Sequence, residues 1–211
     1  MAFKDSRTAD NLMKSFAGEA QARLRYQYAA RVAEKEGFIQ IKNIFNETAD
    51  NEKEHAKLFI KHLIANGLEG EARNIMASYP IGWSPDSTLK NLLYAANGEK
   101  EEWSELYPMF AEIAEEEGYT DIANTWRQVI KVEQQHEKRY RKLYENVKNQ
   151  MVFKRNEKTK VEIRAPGWVE GEQLGVAKNR VVSVVDCPKK EGSVRVKIVS
   201  NKHNIYVAVP A

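Results

Sequence analysis

The chain has 211 residues, 42% hydrophobic and 30% charged, enough for one substantial core and a small appendage. No apolar run approaches the roughly 18 residues of a membrane span, and no apolar stretch follows the first charges of MAFKDSRTADNL. A membrane-inserted or secreted protein is therefore not expected, and the cytoplasm is the expected compartment. The single cysteine, Cys187, excludes an internal disulfide and a thiolate cage, so any metal must be held mainly by carboxylate and imidazole.

In chain order, segments 8–36, 38–66, 87–117 and 119–148 repeat their apolar residues at helical period. Gly37 and Gly118 mark tight turns, and Asn66-Gly67 closes the second segment. The stretch 70–85, with Pro80, Gly82 and Pro85, reads as a crossover before Asp86 and Ser87, which offer N-caps for the third. Short, long and short connections predict a mainly α protein whose residues 1–150 form a four-helix bundle with a long crossover between helices 2 and 3.

Beyond residue 150 the composition changes. Residues 151–211 carry 12 Lys/Arg against 6 Asp/Glu, leaving 21 against 24 for the rest, and 13 of these 61 residues are Val. Period-two runs at 158–164, 180–186, 193–199 and 204–209 predict a small basic β-rich domain of three or four strands.

A 3-4-3-4 ladder along each helix gives its inward stripe. The first collects Leu12, Phe16, Glu19, Tyr26, Ala30 and Ala33, with Arg23 a poor fit; the second Ile41, Phe45, Thr48, Glu52, His55 and Phe59. The third gives Leu92, Ala95, Glu99, Glu102, Leu106, Met109 and Ile113, and the fourth Ile122, Trp126, Val129, Glu133, His136, Tyr140, Leu143 and Val147. Each apolar stripe is thus interrupted by carboxylate or imidazole. A buried ionised carboxylate costs several kcal/mol unless compensated, and bound cations are the compensation that suits five of them. Hard oxygen ligands with two imidazoles fit iron or manganese better than calcium or structural zinc.

Spacing repeats the message. Glu52-x-x-His55 and Glu133-x-x-His136 each set two ligands one turn apart; Glu19 precedes the first pair by 33 residues and Glu102 the second by 31. Glu99 then stands as an addition to the second half. A lone E-x-x-H is more often a solvated helix face, as read for Glu54, Glu101 and Glu137, and His62 and His203 read as ordinary surface residues. Tyr26 and Tyr107 fit either core aromatics or hydrogen-bond donors near the metals.

The segments SFAGEAQARLRYQY, NETADNEKEHAK, NGEKEEWSELYPMFAEIAEEEG and VEQQHEKRYRKL resemble the four helices of rubrerythrins, from about residue 6 to residue 155. The resemblance implies a ferritin-like bundle with two iron ions. Glu52 and Glu133 would bridge them, Glu19 and Glu102 would bind one, and Glu99 with His136 the other. His55 would exchange with Glu102 as the irons change oxidation state, and Tyr26 and Tyr107 would hydrogen-bond nearby. The implied activity is a peroxidase that reduces hydrogen peroxide to water in oxidative stress defence; ferritin-like iron oxidation and storage with O₂ is the alternative.

The tail departs from that family's usual rubredoxin domain, whose two Cys-x-x-Cys pairs hold one iron. An overlay puts Ile163 and Pro166 at the first pair, and Cys187 and Lys190 at the second. No rubredoxin-type iron is therefore expected; the tail is either a degenerate rubredoxin-like domain or unrelated to one. Electrons are expected from an external donor such as a separate rubredoxin, and a homodimer or higher homo-oligomer is expected. With only Phe153, Trp168 and Tyr206 as aromatics in the tail and no recognised signature, nucleic acid is not an expected partner.

Overall fold

A computed structural model describes residues 2–202 and 205–211; Met1, His203 and Asn204, and with them the surface reading of His203, lie outside the described residues. Helices α1 (Arg7–Lys35), α2 (Ile39–Ala65), α3 (Thr88–Glu101), α4 (Tyr107–Glu116) and α5 (Thr120–Lys148) agree with the four predicted segments, the third being divided. Between α3 and α4, residues Glu102–Leu106 form a π-helical turn, so α3, this turn and α4 make up the third member of the bundle. The expected N-cap at Ser87 is present, its side chain accepting from the Lys90 N–H.

The π-turn corrects part of the third inward stripe. An extra residue per turn rotates everything after it by about 100°, so a ladder carried through Glu102 lands on Leu106, Met109 and Ile113. The buried residues are instead Tyr107, Phe110, Ala111 and Ala114, and Met109 is 45% exposed. Phe110 and Tyr107 pack with Phe59 and Trp126 in one apolar cluster that also takes in Leu12, Leu63 and Ile122.

By internal contacts the chain divides into two compact units: 1–29 with 45–143, and 30–44 with 144–211. The first contains the middle of the bundle and the crossover. Within it the crossover residue Tyr79 donates to the Lys14 carbonyl (2.9 Å), and Gln21 donates to that of Pro80 (3.1 Å).

The second unit is a closed five-stranded barrel: β1 (Lys158–Pro166), β2 (Gln173–Ala177), β3 (Arg180–Val184), β4 (Gly192–Lys202) and β5 (Ile205–Pro210). Their order around the barrel is β1-β2-β3-β5-β4, antiparallel except for the parallel pair β3–β5. Val161, Ile163, Val182, Val184, Val194, Val196, Ile198 and Tyr206 fill its interior. Four strands lie where period two predicted them; β2 was not predicted. Gly175 blurs its pattern, and the barrel needs that glycine: an added Cβ would lie 2.4 Å from Val161 Cγ1 and 2.5 Å from the Glu162 carbonyl oxygen. Ile163, overlaid above on a rubredoxin cysteine, points into this apolar interior. The α1–α2 tip belongs to the same unit, tied by Tyr206 donating to Gln40 (2.8 Å) and by the Arg155 N–H donating to the Gly37 carbonyl (2.8 Å).

Candidate metal centre

Glu19 enters from α1, Glu52 and His55 from α2, Glu99 from α3, and Glu133 and His136 from α5; all six are buried, with Glu19 and Glu133 fully so. The one-turn spacing within each E-x-x-H pair aims both side chains of that pair at the bundle axis. Their ligand atoms form two groups, each within 4.8 Å: Glu19, Glu52, His55 and Glu133; and Glu52, Glu99, Glu133 and His136. Glu52 and Glu133 belong to both, which is the arrangement two bridged ions require.

The two imidazoles are related alike to the shared carboxylates. His55 Nδ1 lies 2.7 Å from Glu133, 2.9 Å from Glu52 and 3.9 Å from Glu19. His136 Nδ1 lies 2.8 Å from Glu133, 3.3 Å from Glu52 and 3.5 Å from Glu99.

Glu102 is the one expected ligand outside both groups among the described residues. It is half-buried at the start of the π-turn and lines a cavity of about 240 Å³ together with Gly18, Arg25, Tyr107 and the crossover residues Met76–Pro80. The repeat is accordingly redrawn: Glu19 and Glu99 are the equivalent carboxylates of the two halves, and Glu102, not Glu99, is the addition.

The tyrosines make the equivalence explicit. Tyr26, seven residues after Glu19, donates to Glu99 at 2.6 Å; Tyr107, eight residues after Glu99, donates to Glu19 at 2.5 Å. Burial, then the neighbouring carboxylates, pushes both phenols well above their ordinary pKa, which keeps them protonated donors.

Electrostatics show what so acidic an interior calls for. Burial, followed by repulsion from other carboxylates, holds Glu19, Glu133 and Glu102 well above the usual carboxylate range. Burial acts the same way on Glu52, but both imidazoles overcome it and hold that group at about 2. Desolvation lowers the two histidines, yet their carboxylate neighbours raise both overall. The buried side-chain atoms without hydrogen-bond partners include Glu19 Oε2, both oxygens of Glu52 and of Glu133, Glu99 Oε2, and Nδ1 of His55 and of His136. A native interior leaves few such atoms; here they are the donors that two cations would take. Carboxylate oxygens with one imidazole per group fit iron.

Two neighbours escaped the sequence reading. Asn51 places its Nδ2 3.1 Å from His136 Nε2, a contact that orients the ring, and its carboxamide can present either end to that nitrogen. Arg25 is buried beside Tyr26, 5.8 Å over the ring, and is the cation that lowers Glu102 against its other neighbours. Tyr140, expected only as core, packs against Tyr26 with the rings tilted and their centroids 5.5 Å apart. Adjacency to Glu52 is the one sequence signal Asn51 offered. His62 is half-buried rather than on the surface, 2.8 Å from Thr125, and takes no part in either ligand group.

Residues 10–144 match the Rubrerythrin family model. The chain is 53% identical to a rubrerythrin of Clostridium perfringens over 154 residues, 73% of this chain and 78% of that one. It is 46% identical to a rubrerythrin of Nitratidesulfovibrio vulgaris over 166 residues, 79% and 84% of the two chains. Among solved structures, the fully reduced, all-ferrous state of nigerythrin matches with a TM-score of 0.59 and 30% identity over 76% of each chain.

Proposed function

The chain belongs to the rubrerythrin family, with its di-iron centre, and on that premise we propose that it is a peroxidase reducing hydrogen peroxide to water. The observation that carries the reading is the placement of His55 among Glu19, Glu52 and Glu133 while Glu102 stands apart on a cavity. One group has its histidine in place, and a further carboxylate lines the neighbouring cavity.

Glu52 and Glu133 would bridge two irons, Glu19 with His55 or Glu102 would complete one site, and Glu99 with His136 the other. When bound, two ferrous ions supply one electron each to the O–O bond, and two protons complete the conversion of H₂O₂ to two waters. The chain's own residues position and protonate. Tyr26 and Tyr107 each hold one oxygen of a terminal carboxylate, leaving Glu99 Oε2 and Glu19 Oε2 toward the centre. Glu102, on the wall of the cavity, would relay a proton to the reacting oxygens when it is not itself a ligand. The cavity between α1, the π-turn and the crossover admits a molecule as small as peroxide.

Turnover needs re-reduction, and Cys187 is the chain's one cysteine, so an external donor such as a separate rubredoxin belongs to the reading. A homodimer or higher homo-oligomer belongs to it as well: Met76 and Ile81 on the crossover are 93% and 95% exposed, apolar surface that a second copy would cover. The test is stopped-flow oxidation of the iron-loaded, chemically reduced protein by stoichiometric H₂O₂. Rapid loss of both ferrous ions per peroxide is expected. Slow reaction with peroxide beside fast reaction with O₂ and growth of a mineral core would instead establish the iron-storage alternative.

A further inference from the structure

The barrel of residues 158–210 has no part in the reading above, and its outer surface is uneven. The order β1-β2-β3-β5-β4, closed and with β3 parallel to β5, is the Greek-key order of OB barrels, a scaffold that binds oligonucleotides on its β2–β3 face and on the β1–β2 and β4–β5 loops. Fold alone assigns no ligand. The charge pattern on the outside of β1 and β4 does.

Register sets Lys158 directly opposite Lys197, and Lys160 directly opposite Arg195, all on the outer face because Val161, Ile163, Val194 and Val196 take the inner one. Like charges directly opposite on neighbouring strands destabilise a sheet. Among the described residues none of these four is ion-paired, whereas Lys42 and Lys178 of the same unit pair with Glu34 and Glu157. The two pairs stand about 7 Å apart along the strands, comparable to the phosphate step of an extended single strand. Beyond them β1 presents exposed Arg164, and the turn that follows presents Trp168 and Val169, 72% and 69% exposed. A cationic track ending in an exposed indole is what sequence-tolerant binding of single strands uses: cations for phosphates, a ring for a base.

Carboxylates stand along the track as well: Glu172 accepts from the Trp168 N–H at 2.7 Å, Glu170 is exposed in the same turn, and Glu162 interrupts the cations themselves. Glu162 lies between Lys160 and Arg164 and accepts from Ser193 Oγ at 2.7 Å. An acceptor among phosphate-binding cations suits a ribose 2′-hydroxyl, which deoxyribose lacks. We propose that the outer face of β1 and β4, with Trp168, binds single-stranded RNA. The proposal runs against the expectation, drawn from the few aromatics of the tail and the lack of a recognised signature, that nucleic acid is no partner; it rests on four cations sharing one face.

The experiment is fluorescence anisotropy of a labelled single-stranded RNA of mixed sequence with the full chain, beside the same sequence as single-stranded DNA and as duplex RNA. RNA should bind about tenfold tighter than either, with log affinity falling on log salt at a slope near −3, as about four neutralised phosphates require. Lys160→Glu turns a repulsive cross-strand pair into an attractive one, so thermal stability should hold or rise while RNA affinity falls about tenfold. Trp168→Ala should cost about tenfold and leave the salt slope unchanged, and Glu162→Ala should narrow the preference for RNA over DNA. No binding at low salt, unchanged affinity in Lys160→Glu, or equal affinity for RNA and DNA would overturn the proposal. So would displacement of RNA by polyglutamate at matched charge, which would mark the face as a dock for an acidic protein.

Discussion

Tyr107 hydrogen-bonds Glu19 across 88 residues of sequence, at 2.5 Å, and the bond joins the two halves of the bundle. Its counterpart runs the opposite way, from Tyr26 to Glu99 at 2.6 Å. Each half thus supplies the phenol that steadies the other half's buried carboxylate. The offset from carboxylate to tyrosine is seven residues in the first half and eight in the second, the extra residue being accommodated by the π-turn at Glu102–Leu106. A straight α-helix would carry the Tyr107 hydroxyl about 100° away from Glu19.

Removing either hydroxyl tests that account. Tyr107→Phe leaves a buried carboxyl oxygen without its donor, a loss of about 1–3 kcal/mol. Oxidation of the reduced iron-loaded protein by peroxide should slow about tenfold or more, with the metal content still two per chain. Tyr26→Phe should behave alike. Unchanged rates in both variants would show that the phenols only pack.

Glu102 and His55 should separate in metal analysis. Because His55 already lies within a four-residue ligand group and Glu102 does not, His55→Ala should weaken one of two sites about tenfold or more in the reduced protein. Glu102→Ala should leave ferrous stoichiometry at two while slowing the reaction with peroxide. Titration of anaerobic ferrous iron into each variant reads the first effect, and stopped-flow absorbance the second. Loss of a ferrous ion in Glu102→Ala would refute the assignment.

The pH dependence of the metal-free protein has a definite sign. Glu19 and Glu133 have folded pKa values raised above the unfolded carboxylate value, so the fold loses stability as pH rises from about 4.5 through their folded values. His55 and His136 are raised as well; their contribution is complete below about 6.5 and is lost as pH rises through their folded values. Glu52, at about 2, acts oppositely, but only below about 4.5. Between about pH 5 and 8 the metal-free protein should therefore become less stable. Iron displaces these protons, so the gap in Tm between loaded and metal-free protein should widen over the same range. Differential scanning calorimetry at several pH values measures it, and a constant gap would contradict the assignment of these groups as ligands.

Gly175→Ala should damage the barrel and spare the metals. Its Cβ meets the Glu162 carbonyl oxygen and Val161 within 2.5 Å, and a backbone contact cannot swing aside, so a cost of about 2–3 kcal/mol is expected. Proteolysis should then cut within 151–211 at protease levels the parent chain withstands, with two irons still bound. Equal resistance would mean that β1 and β2 part without cost.

Much of the centre was legible because a helix writes its face into its own sequence. Glu52 with His55, and Glu133 with His136, lie one turn apart, and apolar stripes on either side required them to point inward whatever their neighbours did. Buried charge then required cations. The four helices, their long crossover and six buried donors follow from such local periodicity. What periodicity could not carry was any relation between elements. Glu102 satisfies the same ladder as Glu99, and only the folded helix, with its π-turn and the packing of Tyr107, Phe110 and Ala111, sets Glu99 within a candidate ligand group and Glu102 on a cavity. Asn51 and Arg25 look like ordinary polar helix residues until α5 and the carboxylates are brought beside them. In the tail, alternation marked individual strands, but β2 hid behind Gly175, and which strands neighbour one another is a matter of closure. The lysines of β1 became a patch only when the barrel set β4 against them. Residue type and spacing determined the donors of the centre; long-range packing decided which of them meet.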